Sequence, residues 1–342
     1  MTTELSAAAR RSPSMAAVAD AAGVSMQTVS RVARGFDNVS PETRERVQRA
    51  MDDLGYRPNR AARALRSGRF RTIGVVMFTL ASFGNMRTLE AISAAAAAAD
   101  FTITLLPMAS RTGEGVRSAL SRLHEQAVDG VVIVIESHII DTAEVVLPDG
   151  VPLVVVDSTG TTDRPSIDID QAEGARLATQ HLLDLGHETV WHVAGPDGSY
   201  SADRRLAAWR DTLEHAGRPV PPVFTGGWAS SDGYRAGREI AARPEVTAVF
   251  AVNDQTALGV LRAAHEAGRS VPGSLSVVGF DDFPESESFW PPLTTVHQSF
   301  DEVGRRAVTT LLAQIEGAPA GPSTDLVPVR LVERASTAAP PA

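Results

Sequence analysis

Several short apolar runs end on acidic or amide side chains. Asp157 follows LVVV, Asn253 and Asp254 follow AVFAV, and Asp281 and Asp282 follow SVVGF. Runs of this length and composition read as buried strands. Polar groups at the carboxyl ends of such strands point into the crevice where α/β sheets take their ligands. Carboxylates and an amide in that place suit a polyhydroxylated, sugar-like molecule. Trp228 adds a flat apolar face for a pyranose ring, and Arg205 adds a fork of donors for neighbouring hydroxyls. Asp254 and Asp282 read instead as helix N-caps or loop formers, and Trp209, on an amphipathic stretch, as core. Asp281 is open to a ligand role or to helix capping.

Reactive chemistry is harder to find. The eight histidines are scattered without metal-ligand spacing, and His181 and His187, flanking a helix end, read as structural. There is no GxSxG, no GxxxxGK[ST], and no GxGxxG placed after a strand. We therefore expect no catalytic residue, no metal and no cofactor. The absence of cysteine removes disulfide and thiolate chemistry. No stretch approaches eighteen consecutive apolar residues, and Met1–Arg11 holds no apolar signal core, so a cytoplasmic protein without a membrane span is expected.

The elements that would hold these side chains alternate. Strand candidates at 73–78, 130–135, 152–156, 189–194, 248–252 and 275–279 are interspersed with helix candidates at 88–99, 113–126, 173–185, 203–216, 230–242, 254–267 and 300–314. That grammar predicts parallel α/β sheets. The first seventy residues follow another. Ser14 opens a helix with Met15, Val18, Ala19 and Ala22 at helical spacing, and Gly23 ends it. Ser25 can cap a second helix with Val29 and Val32 facing inward. Ser40-Pro41 starts a third, with Val47, Met51 and Leu54 as its stripe. Helix, glycine turn, helix is helix-turn-helix grammar. Charge divides at the same place. Residues 1–71 hold thirteen arginines and seven acids, a net of +6, whereas the remainder carries −15 of a total of −9. A basic head on an acidic body points to nucleic-acid contact by the head.

Three stretches in register, AGVSMQTVSRV, VSPETRERV and LGYRPNRAARAL, resemble the headpiece and hinge of the LacI/GalR (lactose-repressor) family of bacterial transcription regulators. The resemblance continues through HLLDLGHETVWHVAGP, DRRLAAWRDTLEHAG, TAVFAVNDQTALGVLRAAHEAG, SVVGFDD and PPLTTVHQSF. It implies a three-helix headpiece over 14–56, a hinge helix within 57–71, and a two-lobed, periplasmic-binding-protein-like core over 72–335. The proximal lobe would take about 72–169 and 299–328, and the distal lobe about 170–298 and 329–335. Met26, Gln27 and Arg31 match base-reading positions, and Gln with adenine or Arg with guanine has the required chemistry. Ser14, Ser25, Ser30, Arg34, Thr43, Arg44 and Asn59 match backbone-contacting positions. Ala62 and Leu65 match the minor-groove hinge, where an apolar wedge unstacks a base step. For the effector the resemblance selects Asp157, Arg205, Trp228, Asn253, Asp281, Gln298 and Phe300, closest to the lactose branch, which favours a galactoside or related glycoside. The segment 79–87 departs from that branch. The implied protein is a repressor that binds pseudo-palindromic double-stranded DNA as a homodimer and is released by a small sugar inducer, with co-repressor or activator behaviour as the alternative. Two other classes remain alongside it: a carbohydrate enzyme with paired carboxylates, and a solute-binding protein, which would have a signal peptide and no headpiece.

Overall fold

A computed structural model of the chain describes residues 13–33, 35–36, 38–57, 68–80, 82–108, 118–119, 121–122, 128–134, 151–157, 164–319 and 321–341. Arg34, Asn59, Ala62 and Leu65 lie outside the described residues, as do most of the expected hinge helix and most of the helix expected over 113–126. The chain divides into two compact units, Met1–Phe70 and Arg71–Ala342.

The small unit holds α1 (Met15–Ala22), α2 (Met26–Ala33) and α3 (Pro41–Leu54). Ser14 caps α1 by accepting from the Ala17 N–H at 3.2 Å. Gly23 then takes φ +62°, a left-handed conformation that glycine adopts without strain and that turns the chain into α2. Ser25 caps α2 through the Thr28 N–H at 3.1 Å, and Ser40 caps α3 through the Thr43 N–H at 3.4 Å, ahead of Pro41. Val18, Ala19, Val29, Val32, Val47 and Met51 form its core. The Arg46 Nε–H, donating to the Ala22 carbonyl at 2.8 Å, ties α3 to the end of α1.

The large unit contains two sheets. The first is wholly parallel, in the order β10-β5-β4-β3-β1-β2: β1 (Thr72–Met77), β2 (Thr102–Pro107), β3 (Gly130–Val134), β4 (Leu153–Val156), β5 (Pro165–Ile169) and β10 (Ser323–Val327). Alternate side chains feed opposite faces. Ile73, Val75, Val132 and Val154 pack with Ile92 of α4 (Phe83–Ala98) and with Ala307 and Leu311 of α9 (Phe300–Ile315). Val76, Val131, Ile133 and Val155 turn the other way. Burial on both faces is why β1, β3 and β4 are almost uniformly apolar.

The second sheet runs β11-β9-β8-β7-β6: β6 (Trp191–Val193), β7 (Ala248–Ala251), β8 (Ser276–Asp281), β9 (Thr294–His297) and an antiparallel edge, β11 (Arg330–Val332). On one face lie α5 (Gln171–Asp184) and α6 (Tyr200–His215), with Trp209 fully buried and its indole N–H bonded to the Val190 carbonyl at 2.9 Å. On the other lie α7 (Ser230–Ala241) and α8 (Asp254–Glu266). Those two helices approach so closely that a Cβ on Gly233 would stand 2.0 Å from the Thr256 carbonyl oxygen. The chain passes between the sheets at β5–α5, β9–α9 and β10–β11. No helix among the described residues is long and apolar enough to cross a membrane.

Candidate functional site

Between the two sheets, at the carboxyl ends of their strands, lies a cleft. Asp157, Arg205, Trp228, Asn253, Asp281, Gln298 and Phe300 all line it. Asp157 comes directly after β4, at φ +60°, and Asp281 ends β8 at φ +114°. Non-glycine residues seldom occupy positive φ, and the strain is tolerated where it re-aims a side chain at a site. Gln298 and Phe300 flank the second crossover, so they belong to the joint between the lobes.

The polar lining is already hydrogen-bonded into a ring. Arg205 Nε donates to Gln171 Oε1 at 2.8 Å, and Gln171 Nε2 to Gln298 Oε1 at 3.3 Å. Gln298 Nε2 donates to Asp281 Oδ1 at 2.5 Å, and that oxygen faces Arg205 Nη1 at 3.7 Å. The guanidinium also donates to the Val252 carbonyl at 2.5 Å and stacks 3.7 Å from the Phe280 ring. Arg205 is thus less a free fork of donors than the sequence suggests: at least two of its three nitrogens serve the protein. Asn253 is likewise occupied. It caps α8 by accepting from the Thr256 N–H at 2.8 Å and donates to the Trp228 carbonyl at 3.2 Å. Its amide keeps one N–H beyond these bonds. The indole N–H of Trp228 is buried without a partner among the described residues, a donor that an occupant of the cleft can satisfy. Phe83 and Phe300 meet edge to face at 5.9 Å on the side of the first lobe.

Beneath this ring, Asp254 accepts from the Phe283 N–H, Ser286 and Thr295. It anchors the 283–288 turn; the N-cap of α8 is Asn253. Burial, reinforced by the nearby Asp281 charge, pushes its carboxyl up to about 8. Asp282 pairs with His297 at 2.9 Å and with Arg334 at 2.6 Å, a loop-holding role. His187 bonds Thr247, Ser276 and the Ala338 carbonyl, and His181 bonds Thr337. No group of three or more His or acidic side chains among the described residues could hold a metal.

Several lining residues are absent from the sequence-based set: Ser82, Phe83, Asn85, Asp168, Gln171 and Ser201. Ser82-x-x-Asn85 is a legible helix start, and the Asn85 N–H does donate to Ser82 Oγ at 3.3 Å. It falls in the segment that departs from the lactose branch. Asp168 sits in PSIDI, too polar to stand out as an apolar run.

In the small unit, helical geometry divides α2 cleanly. At 3.6 residues per turn, Met26, Gln27, Ser30 and Arg31 spread over roughly 140° of arc, and Val29 and Val32 face the opposite side. Met26 is 57% exposed, Gln27 and Arg31 are exposed, and Val29 is fully buried. An exposed methionine beside an amide and a guanidinium makes a protruding face with hydrogen-bonding and apolar reach, of the width that enters a major groove. Ser14 and Ser25 lie exposed at helix N-termini, where backbone N–H groups attract phosphate. Ser30, Thr43 and Arg44 are half-buried. One Arg44 nitrogen is spent on the Phe36 carbonyl at 2.6 Å.

Comparison with known proteins fits both units. Residues 14–59 match the family model of bacterial regulatory proteins, lacI family, and residues 179–337 match that of the periplasmic binding protein-like domain. The lactose operon repressor of Escherichia coli (strain K12) is 36% identical over 331 residues, covering 94% of this chain and 90% of the relative. A structure of the lac repressor dimer bound to operator and the anti-inducer ONPF superposes with a TM-score of 0.84 at 34% identity, covering 96% of this chain and all of that one. A complex of the transcriptional regulator CelR with cellobiose gives a TM-score of 0.71 at 32% identity, over 95% and 99% of the two chains. These relatives are transcription regulators, not enzymes. With its helix-turn-helix head and its two-lobed core, the chain belongs to the LacI family of DNA-binding transcription repressors with a sugar-binding core.

Proposed function

We propose that this repressor is a cytoplasmic homodimer that binds a pseudo-palindromic operator and is released from it by a small glycoside, of the galactoside class, held in the cleft. The observation that carries the sugar reading is convergence. Seven residues selected from 157 to 300 of the sequence line one cleft at the strand ends. Phe83, Phe300 and Asp157 come from one side of it, and Arg205, Trp228, Asn253 and Asp281 from the other. An occupant that touches both sides biases the angle between the lobes. In the proposed dimer that angle sets the spacing of the two hinge segments, and separated hinges cannot pair in the minor groove. Met26, Gln27 and Arg31 read bases. Ser14, Ser25, Ser30, Arg34, Thr43, Arg44 and Asn59 hold the backbone, and Ala62 and Leu65 enter the minor groove. A β-glucoside is the second reading, favoured by the similarity to CelR, which was solved with cellobiose.

The test has two parts. Fluorescence anisotropy on fragments of the DNA upstream of its gene should show tight binding that falls steeply with salt. Thermal-shift titration with galactosides, glucosides and pentosides should then name the class of ligand. Binding restricted to glucosides overturns the galactoside assignment, and stabilisation by no sugar overturns the sugar reading.

A further inference from the structure

Asp168 is a buried acid of the cleft with one hydrogen bond among the described residues. It lies near the end of β5, opposite in face to Ile167 and Ile169, which pack into the first lobe's core. It is 3% exposed and lines the cleft. One oxygen, Oδ1, accepts from the Ile169 N–H at 2.8 Å, and Oδ2 takes no hydrogen bond or ion pair from any described residue. The charged groups about it are Arg204 on α6, Asp170 at the start of α5, and the cleft residues Asp157, Arg205 and Asp281. Arg205 is bound to the hydrogen-bonded ring and lies against Asp281.

A carboxylate buried with a single N–H partner is costly, and a valine or isoleucine would fill the same wall without that penalty. Burial outweighs Arg204 and the backbone bond and lifts this carboxyl to about 7. Near neutral pH the group therefore exchanges its proton readily, and a donor arriving in the cleft would fix it in the ionised form.

We propose that Asp168 is a specificity-determining residue of the effector site: its Oδ2 accepts a hydrogen bond from a donor on the ligand, a sugar hydroxyl or the ammonium of an amino sugar. This rests on the sugar reading of the cleft. Binding then ionises Asp168 and releases a proton from the fraction of molecules in which it was protonated.

Isothermal titration calorimetry of the full chain tests it, with methyl β-D-galactopyranoside, methyl β-D-glucopyranoside and their 2-amino-2-deoxy counterparts. Each probe is measured at pH 7 in buffers of different ionisation enthalpy, against the wild type, Asp168→Asn and Asp168→Ala. The probe bound best should lose about 10- to 100-fold in affinity in Asp168→Ala. Proton release should be seen in the wild type and be absent in Asp168→Asn. Amino sugars preferred at least tenfold, with the preference lost in Asp168→Asn, identify the ammonium; equal or better binding of the neutral glycosides identifies the hydroxyl. Affinities within twofold of wild type in both variants, or proton release that persists in Asp168→Asn, overturn the proposal and leave the sugar reading intact. Failure of every sugar to bind the wild type overturns both.

Discussion

Replacing Arg205 by leucine separates two roles that the sequence merges. The guanidinium is 4% exposed and the Asp281 carboxylate opposite it 7%. In Arg205→Leu the buried Asp281 carboxylate loses its facing guanidinium and keeps its bond from Gln298, while the Gln171 Oε1 and the Val252 carbonyl lose their Arg205 donors. Breaking a buried charge pair by deleting one partner costs about 3–5 kcal/mol. A domain of this size loses roughly 2–4 °C of melting temperature per kcal/mol, so a fall of roughly 6–20 °C is expected. Differential scanning calorimetry of the full chain reads it directly. Arg205→Leu combined with Asp281→Leu removes the stranded charge, and its destabilisation should be smaller than the sum of the two single changes. A melting temperature for Arg205→Leu within about 2 °C of wild type would refute the reasoning. The guanidinium would then be spare, and its place would be with the ligand alone.

The cleft, the fold and the head each carry a further expectation. Trp228→Ala should weaken sugar binding by about 1–2 kcal/mol, roughly tenfold, with little change in melting temperature, as read by calorimetric titration alongside a melt. Asp168 and Asp254, raised from about 3.8 to about 7 and about 8, bind more protons folded than unfolded, so they stabilise at low pH and that stability is lost as pH rises through their folded values. His192, lowered to about 4, acts oppositely: its stabilisation is lost as pH falls from about 6.5 to about 4. Above pH 6.5 these aspartates set the direction among the described groups, so the melting temperature should fall between pH 6.5 and 8.5, and less steeply in Asp254→Asn; a flat profile contradicts this. Gly233→Ala, which forces a Cβ within 2.0 Å of the Thr256 carbonyl, should destabilise by about 1–3 kcal/mol in urea melts. Gln27→Ala and Arg31→Ala should each lose about 1–3 kcal/mol of operator specificity at one base position, measured on single-substitution operator sets.

Legibility followed burial. β1, β3, β4, β7 and β8, covered on both faces, are continuous apolar runs that announce themselves, and their carboxyl ends locate Asp157, Asn253 and Asp281. β10, exposed over its first four residues, and β5, whose alternate positions carry Ser166 and Asp168, give no such run and were not legible. Helix starts are legible at Ser14 and Ser40, which cap as their types suggest; α4, capped by Ser82, and α5, capped by Asp170, begin before the 88 and 173 expected from the sequence. At α8 the cap is Asn253, one residue before the aspartate that composition favours. What no single sequence could show is the ring from Arg205 through Gln171, Gln298 and Asp281. Its members are separated by up to 127 residues and meet only because two crossovers bring Gln171 and Gln298 together. The same holds for Asp168, whose significance comes from its place in the wall and not from its neighbours in the chain.

The central claim is that one sugar in the cleft and one operator at the head compete through a shared equilibrium. The most direct measurement is the operator dissociation constant, by fluorescence anisotropy, across a titration of the best-bound sugar, paired with the sugar's affinity for the free and the operator-bound protein. The account predicts that the sugar weakens operator binding, and that the operator weakens sugar binding by the same factor, as linkage requires. An operator affinity that stays constant while the sugar saturates its site would contradict it.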